Sequence, residues 1–197
     1  MAKKTAQREV DTASRILDVA ERLVQARGFN GFSYADVAAE LGITKASLHY
    51  HFAGKAQLGE ALIGRYGARF AGALAAIDAV GSDAPAKLDA YARIYADVLR
   101  ERRMCLCGML AADYETLPKE LQDEVIRFFD DNEVWLAGVL EQGEREGTLH
   151  LNGSSRETAQ AIVSGLEGAM LVARPYDDLK RFEAAAARLL ATLVSAA

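Results

Sequence analysis

Lys45, Ser47, His49 and Tyr50 lie within the stretch Thr44-Lys45-Ala46-Ser47-Leu48-His49-Tyr50-His51-Phe52. A cation, a hydroxyl, an imidazole and a phenol at this spacing suit recognition rather than bond making. An ammonium can meet a phosphate, hydroxyl and imidazole groups can exchange hydrogen bonds with base edges, and small or aromatic faces can pack beside them. Leu48 and Phe52 are four residues apart and turn to the opposite side. The pattern predicts a short helix anchored inward by these two and presenting Lys45, Ala46, Ser47, His49 and Tyr50 outward. A helix of that kind fits the major groove of duplex DNA.

The residues before it must set its position. Ser33 is placed to cap a first helix, with Asp36 as its reciprocal partner in a capping box. Val37, Ala38 and Leu41 share that helix's inner face. Gly42 follows where a left-handed residue usually ends a helix, Ile43 fills the angle, and Thr44 caps the second helix. Residues 31 to 58 therefore predict a helix-turn-helix, with a purely structural helix pair as the alternative. Lys55 opens the next helix, whose N-terminal N–H groups attract phosphate. His49 and His51 point to nearly opposite sides, so no shared metal ion is expected.

The stretch from about Ser14 to Tyr66 resembles the TetR family of bacterial transcriptional regulators. The resemblance rests on Ile16-Leu17 with Ala20, Gly28-Phe29, Ser33, Val37-Ala38, Leu41-Gly42-Ile43, Leu48, Tyr50-His51-Phe52, Lys55 and Leu58. It implies that the third helix enters the major groove and that the start of the fourth meets the backbone. The matching contact positions are Tyr34, Thr44, Lys45, Ala46, Ser47, His49, Tyr50, His51 and Lys55. His49 departs from the family, which more often carries tyrosine there, and this leaves the preferred base sequence open.

Net charge over the 197 residues is −5, which looks wrong for a DNA binder until it is divided. Residues 1 to 55 carry eight Lys/Arg against six Asp/Glu, while residues 56 to 197 carry fifteen against twenty-two. A basic head on an acidic body is the expected footprint. Lys3, Lys4 and Arg8 are candidates for a phosphate-touching arm or for a merely solubilising start. The basic, polar beginning is unlike a signal peptide, and no apolar run reaches the ~18 residues of a membrane span. A cytoplasmic location, without membrane partners, is expected.

The fold class expected is all-α, with about nine helices. Residues 1-54 would form the DNA-binding domain and 55-197 a helical ligand-binding and dimerisation domain. Apolar stripes and breaks predict helices over 12–27, 55–79, from Pro85, 104–114, about 28 residues from Pro118, 155–173 and 177–195. The last two are rich in small residues. The resemblance implies a homodimer through them, with Gly165, Gly168, Ala169, Phe182, Ala186, Leu189, Leu190 and Leu193 as interface candidates; closure of the monomer core is the alternative. It also implies a small-molecule pocket in the body. Tyr91, Tyr95, Cys105, Met109, Leu110, Tyr114, Phe128, Trp135 and Met170 are its candidate lining, suited to an apolar or planar effector or simply to a core.

Cys105 and Cys107 flank Leu106 after Arg102-Arg103. A helix starting near 104 would make one thiol more reactive through its dipole and the arginines; buried, inert thiols are the alternative. No glycine-rich phosphate loop, metal-spaced cluster or nucleophile elbow occurs, so neither an enzyme nor a cofactor or metal is expected. The reading is a homodimeric DNA-binding regulator, a repressor of a near-palindromic operator released by a small effector. An activator, or a small-molecule binder with a silent head, are the rivals.

Overall fold

The computed structural model describes the backbone of residues 2–194 and the side chains of residues 11–194. The side chains of Lys3, Lys4 and Arg8, and the end of the expected last helix at 195, lie outside the described residues. Nine α-helices occur among those described: α1 Ala2–Arg27, α2 Tyr34–Leu41, α3 Lys45–His51, α4 Lys55–Ala79, α5 Ala84–Arg100, α6 Leu106–Ala112, α7 Lys119–Glu146, α8 Ser155–Ala173 and α9 Leu179–Ala191. Short 3-10 turns follow α6 and α8, and one isolated antiparallel bridge joins Leu149 to Val194.

The chain forms two compact units, one of residues 1–66 with 106–125, the other of 67–105 with 126–197. This grouping differs from a division at residue 54. Within the first unit, Asp113 accepts from the Phe29 N–H at 2.7 Å, and Gly59 leaves room for Leu121. A methyl group at Gly59 would sit 2.4 Å from a Leu121 methyl carbon. Arg65 bonds Asp18 at 2.6 Å and the buried Glu21 at 2.9 Å, so a charged pair closes that core beside Ile16, Leu23 and Leu62.

In the second unit α5 packs on α8 and α9, and α8 runs along α9. Asp83 caps α5 by accepting from the Ala86 N–H at 2.9 Å, with Pro85 in the first turn, where its missing N–H costs nothing. Phe182, Ala186 and Leu190 are buried within this single chain. They face the core of this chain, as the alternative to a dimer interface expects. Gly165 is packed likewise, since a Cβ there would lie 2.7 Å from Leu189. Leu193 falls beyond α9, where its carbonyl accepts from the His150 N–H at 2.7 Å. Gly168 is exposed and Ala169 half-buried, and the exposed apolar residues nearby are Leu171, Val172 and Tyr176.

Helix α6 is shorter than 104–114. Arg102 is left-handed (φ 58°) and the helix starts only at Leu106. Asp113 ends it by turning its carboxylate to the Phe29 and Asn30 N–H groups. No helix among the described residues is long and apolar enough to cross a membrane.

Candidate nucleic-acid interface and effector cluster

The helix-turn-helix is built by its caps. Ser33, extended at φ −133°, accepts from the Asp36 N–H, and Asp36 Oδ2 accepts from the Ser33 N–H at 2.7 Å. The Ser33 bonds hold the Asp36 carboxyl below its ordinary range. Gly42 takes φ +65°, and the Ile43 N–H closes the turn on the Ala38 carbonyl at 3.1 Å. Nothing crowds Gly42, so only the left-handed backbone demands glycine there. Thr44 Oγ1 then accepts from the Ser47 N–H at 3.1 Å and starts α3.

Leu48 is fully buried beneath α3, and Phe52 is buried at its end. Thr44, Lys45, Ala46, His49 and Tyr50 are exposed, Tyr50 at 72%. Ser47 and His51 are half-buried, with the His51 ring edge-on to Tyr50 at 5.2 Å. Tyr34 is also half-buried. Its hydroxyl donates to the Phe52 carbonyl at 3.0 Å, burial raises its pKa, and its ring lies 4.8 Å from that of His49. His49 Nδ1 is 3.1 Å from the Ala53 carbonyl. A carbonyl only accepts, so Nδ1 is the donor in this bond. Tyr34 therefore orients the imidazole as well as lying beside the contact face.

Lys55 departs from the expected phosphate contact. Its Nζ donates to the Phe32 carbonyl at 2.7 Å and lies 4.8 and 4.3 Å from the ring centroids of Phe29 and Phe32. The carbonyl and ring faces replace lost water. Burial pulls its pKa below the lysine norm, against the opposing pull of the Asp113 and Asp36 charges.

The effector candidates divide. Tyr91, Tyr95, Cys105, Phe128, Trp135 and Met170 belong to the second unit. Met109, Leu110 and Tyr114 belong to the first, where Met109 lies beside Gly28. In the second unit Trp135 stacks on Tyr91 at 5.7 Å and 22°, and donates Nε1–H to Asp78 at 2.8 Å. Phe70 stands edge-on to Tyr91, Tyr95 and Phe128. Cys105 and Cys107 are both buried. Arg102 pairs with Asp177 and Arg103 with Glu101, and Cys105 lies before α6 rather than in its first turn. Cys105 thus stands directly before the first turn of α6, buried, while both arginines are engaged by carboxylates.

Asp113, Asn132 and Glu167 are the residues that sequence reasoning missed. Asn132 sits in an acidic run, Glu167 in a helix of small residues, and Asp113 acts across 84 positions of chain. No group of three or more metal-ligating side chains occurs among the described residues.

A capped helix pair with an exposed cationic and aromatic second helix defines the class of DNA-binding transcriptional regulators. Residues 16–62 match the family model for bacterial regulatory proteins of the tetR family, and residues 84–189 match the tetracyclin repressor-like C-terminal domain. A TetR-family transcriptional regulator of Agrobacterium tumefaciens superposes with a TM-score of 0.91 at 32% identity, over 95% of this chain and 100% of that one. The transcriptional repressor BepR of Brucella suis is 25% identical over 84% of this chain and 82% of its own. The match to the regulator AcrR of Shigella flexneri, at 38% identity, spans 29% of this chain and only 27% of that regulator. The chain belongs to the TetR family, whose members are transcriptional regulators and not enzymes.

Proposed function

We propose that this chain acts as a homodimeric repressor that reads a near-palindromic operator and leaves it when a small effector binds the second unit. The observation that carries the reading is the outer face of α3, where Lys45, Ala46, His49 and Tyr50 are exposed on a helix pinned by Leu48 and the Thr44 cap. Lys45, Ser47, His49 and Tyr50 carry the base contacts, while Thr44, His51 and the backbone at Lys55 hold register on phosphates. Similarity to a named repressor supports repression. Exposed Leu171, Val172 and Tyr176, with Gly168, support a dimer face on the outer side of α8 and the turn after it. Two heads on a two-fold axis would meet half-sites in successive major grooves. Helix α4 contributes residues to both units, and a hundredfold loss of operator affinity needs only about 2.7 kcal/mol of coupling.

The test is selection of bound duplexes from a random-sequence pool by the purified protein at moderate salt. Enrichment of a palindrome supports the dimeric reader; recovery of unrelated sequences alone contradicts it. Placement of the enriched site relative to its promoter separates repressor from activator.

A further inference from the structure

Glu167 is the group in the second unit that the reading so far leaves unexplained. Part of its side chain remains accessible, but its carboxyl is buried, and Oε1 has no hydrogen-bond partner. Burial pushes its pKa up to about 7, with a hydrogen bond shared with Cys105 acting the other way. No lysine or arginine is among the influences on it. A buried acceptor left unmet is costly, and a carboxylate without a counter-charge more so.

The surrounding proton inventory explains why no neighbour fills the gap. Tyr91 donates to Asn132 Oδ1 at 3.2 Å, while Asn132 Nδ2 donates to the Phe128 carbonyl at 2.7 Å, which fixes the amide's orientation. The Tyr91 and Tyr95 hydroxyls are 3.0 Å apart. Each phenol owns one proton. Tyr91 spends its proton on Asn132, so Tyr95 must donate to Tyr91. Neither is left for Glu167, although the carboxylate's charge is felt by both. The Cys105 thiol bonds this carboxyl, and Oε1 is left open to a donor from outside the chain. Tyr91, which feels the Glu167 charge, stacks on Trp135, and the aromatic cluster continues through Tyr95 and Phe70. Electron-rich ring faces attract cations.

We propose that Glu167, with Tyr91, Tyr95 and Trp135, forms the recognition site for an effector that is a small organic cation bearing an ammonium group. The proposal rests on the reading of the chain as an effector-responsive regulator and names the chemical class of that effector. An ammonium group supplies both the N–H or polarised C–H contacts and the positive charge that Oε1 lacks. An anion would face the carboxylate, and a neutral molecule would leave its charge unmatched.

The groups facing this region are Tyr91 and Tyr95 from α5, Glu133 from α7 and Cys105 before α6. Both phenols are held above their ordinary values by burial and stay neutral near pH 7. With Glu167 at about 7, its ionised fraction, and with it the affinity for a cation, rises about tenfold from pH 6 to pH 8.

Trp135 is the single tryptophan, so its emission reads the site directly. The full chain is titrated at constant potassium chloride with benzylammonium and with tetramethylammonium; benzyl alcohol and benzoate serve as neutral and anionic controls. The expected result is saturable binding of at least one cation. The alcohol and benzoate should bind at least about tenfold more weakly, and the cation about tenfold more tightly at pH 8 than at pH 6. Glu167→Gln should lose about tenfold or more and flatten the pH profile, with its thermal transition unchanged. Saturation by neither cation, equal binding of the alcohol, or a Glu167→Gln protein that binds as wild type overturns the proposal. If that variant does not fold, the wild-type pH profile and the alcohol control decide. A preparation that binds its selected duplex yet ignores both cations refutes this inference alone. One that binds a cation but enriches no duplex refutes the DNA-reading account instead.

Discussion

Replacing Asp113 with Ala removes the acceptor that holds the turn between α1 and α2. Asp113 Oδ2 takes the Phe29 N–H at 2.7 Å and the Asn30 N–H at 3.3 Å. Phe29 is 4% exposed, so water does not readily replace the lost partner. A hydrogen bond to a charged acceptor contributes about 1.5–3 kcal/mol, and an orphaned buried donor costs about 1–3 kcal/mol. The longer Asn30 bond adds less. Asp113→Ala should therefore destabilise the protein by about 3 kcal/mol, and Asp113→Asn, which keeps one amide oxygen, by about half as much. The assay is urea unfolding followed by far-ultraviolet circular dichroism, with midpoint and slope fitted together. The same turn leads into Ser33 and α2, so affinity for a selected duplex should fall in parallel. Loss of less than about 0.5 kcal/mol in the Ala variant would refute the reasoning.

Other perturbations test neighbouring links. Gly59→Ala would set a methyl 2.4 Å from buried Leu121 and 3.1 Å from Phe29. Overpacking should outweigh the better helix propensity and lower stability by about 1–2 kcal/mol in thermal melts. Thr44→Ala removes the cap that accepts from the Ser47 N–H and should cost about 1 kcal/mol, restored in large part by Thr44→Ser. Asp78 is held below its ordinary pKa chiefly by the Lys87 hydrogen bond and also by the Trp135 indole. A folded value below the unfolded one gives stability that is present above the unfolded carboxyl pKa. That stability is lost as pH falls through the lower folded value. At 47% exposure its worth is under about 1 kcal/mol. Asp78→Asn should therefore narrow the gap between melting temperatures at pH 7 and pH 3, and an unchanged gap would remove Asp78 from the acid response.

The local elements were legible because their causes are local. Ser33 with Asp36, Gly42, Thr44 and Pro85 each act within four residues, and the structure forms the expected cap or turn at each. The inward pair Leu48 and Phe52 follows from helical period alone. Long-range partners were not legible. Lys55 turns to a carbonyl 23 positions away, and Asp113 reaches back 84. Nothing in composition announces either. The small-residue pattern of α8 and α9 hid two roles, since Phe182, Ala186 and Leu190 face inward while Leu171 and Val172 are exposed. Periodicity shows that a helix has an apolar face but not which neighbour covers it. Side-chain chemistry groups Met109, Leu110 and Tyr114 with Tyr91 and Tyr95, and it does not show that the two sets belong to different units.

The central claim is that the outer face of α3 reads DNA, and Tyr50→Ala tests it most directly. Tyr50 is 72% exposed, so truncation should leave the melting temperature and oligomeric state as in wild type. Affinity for the selected duplex, measured by fluorescence anisotropy at fixed salt, should fall at least about tenfold, in line with about 1–3 kcal/mol for a good base contact. Unchanged affinity in a folded Tyr50→Ala protein would contradict the account and move the reading surface off α3.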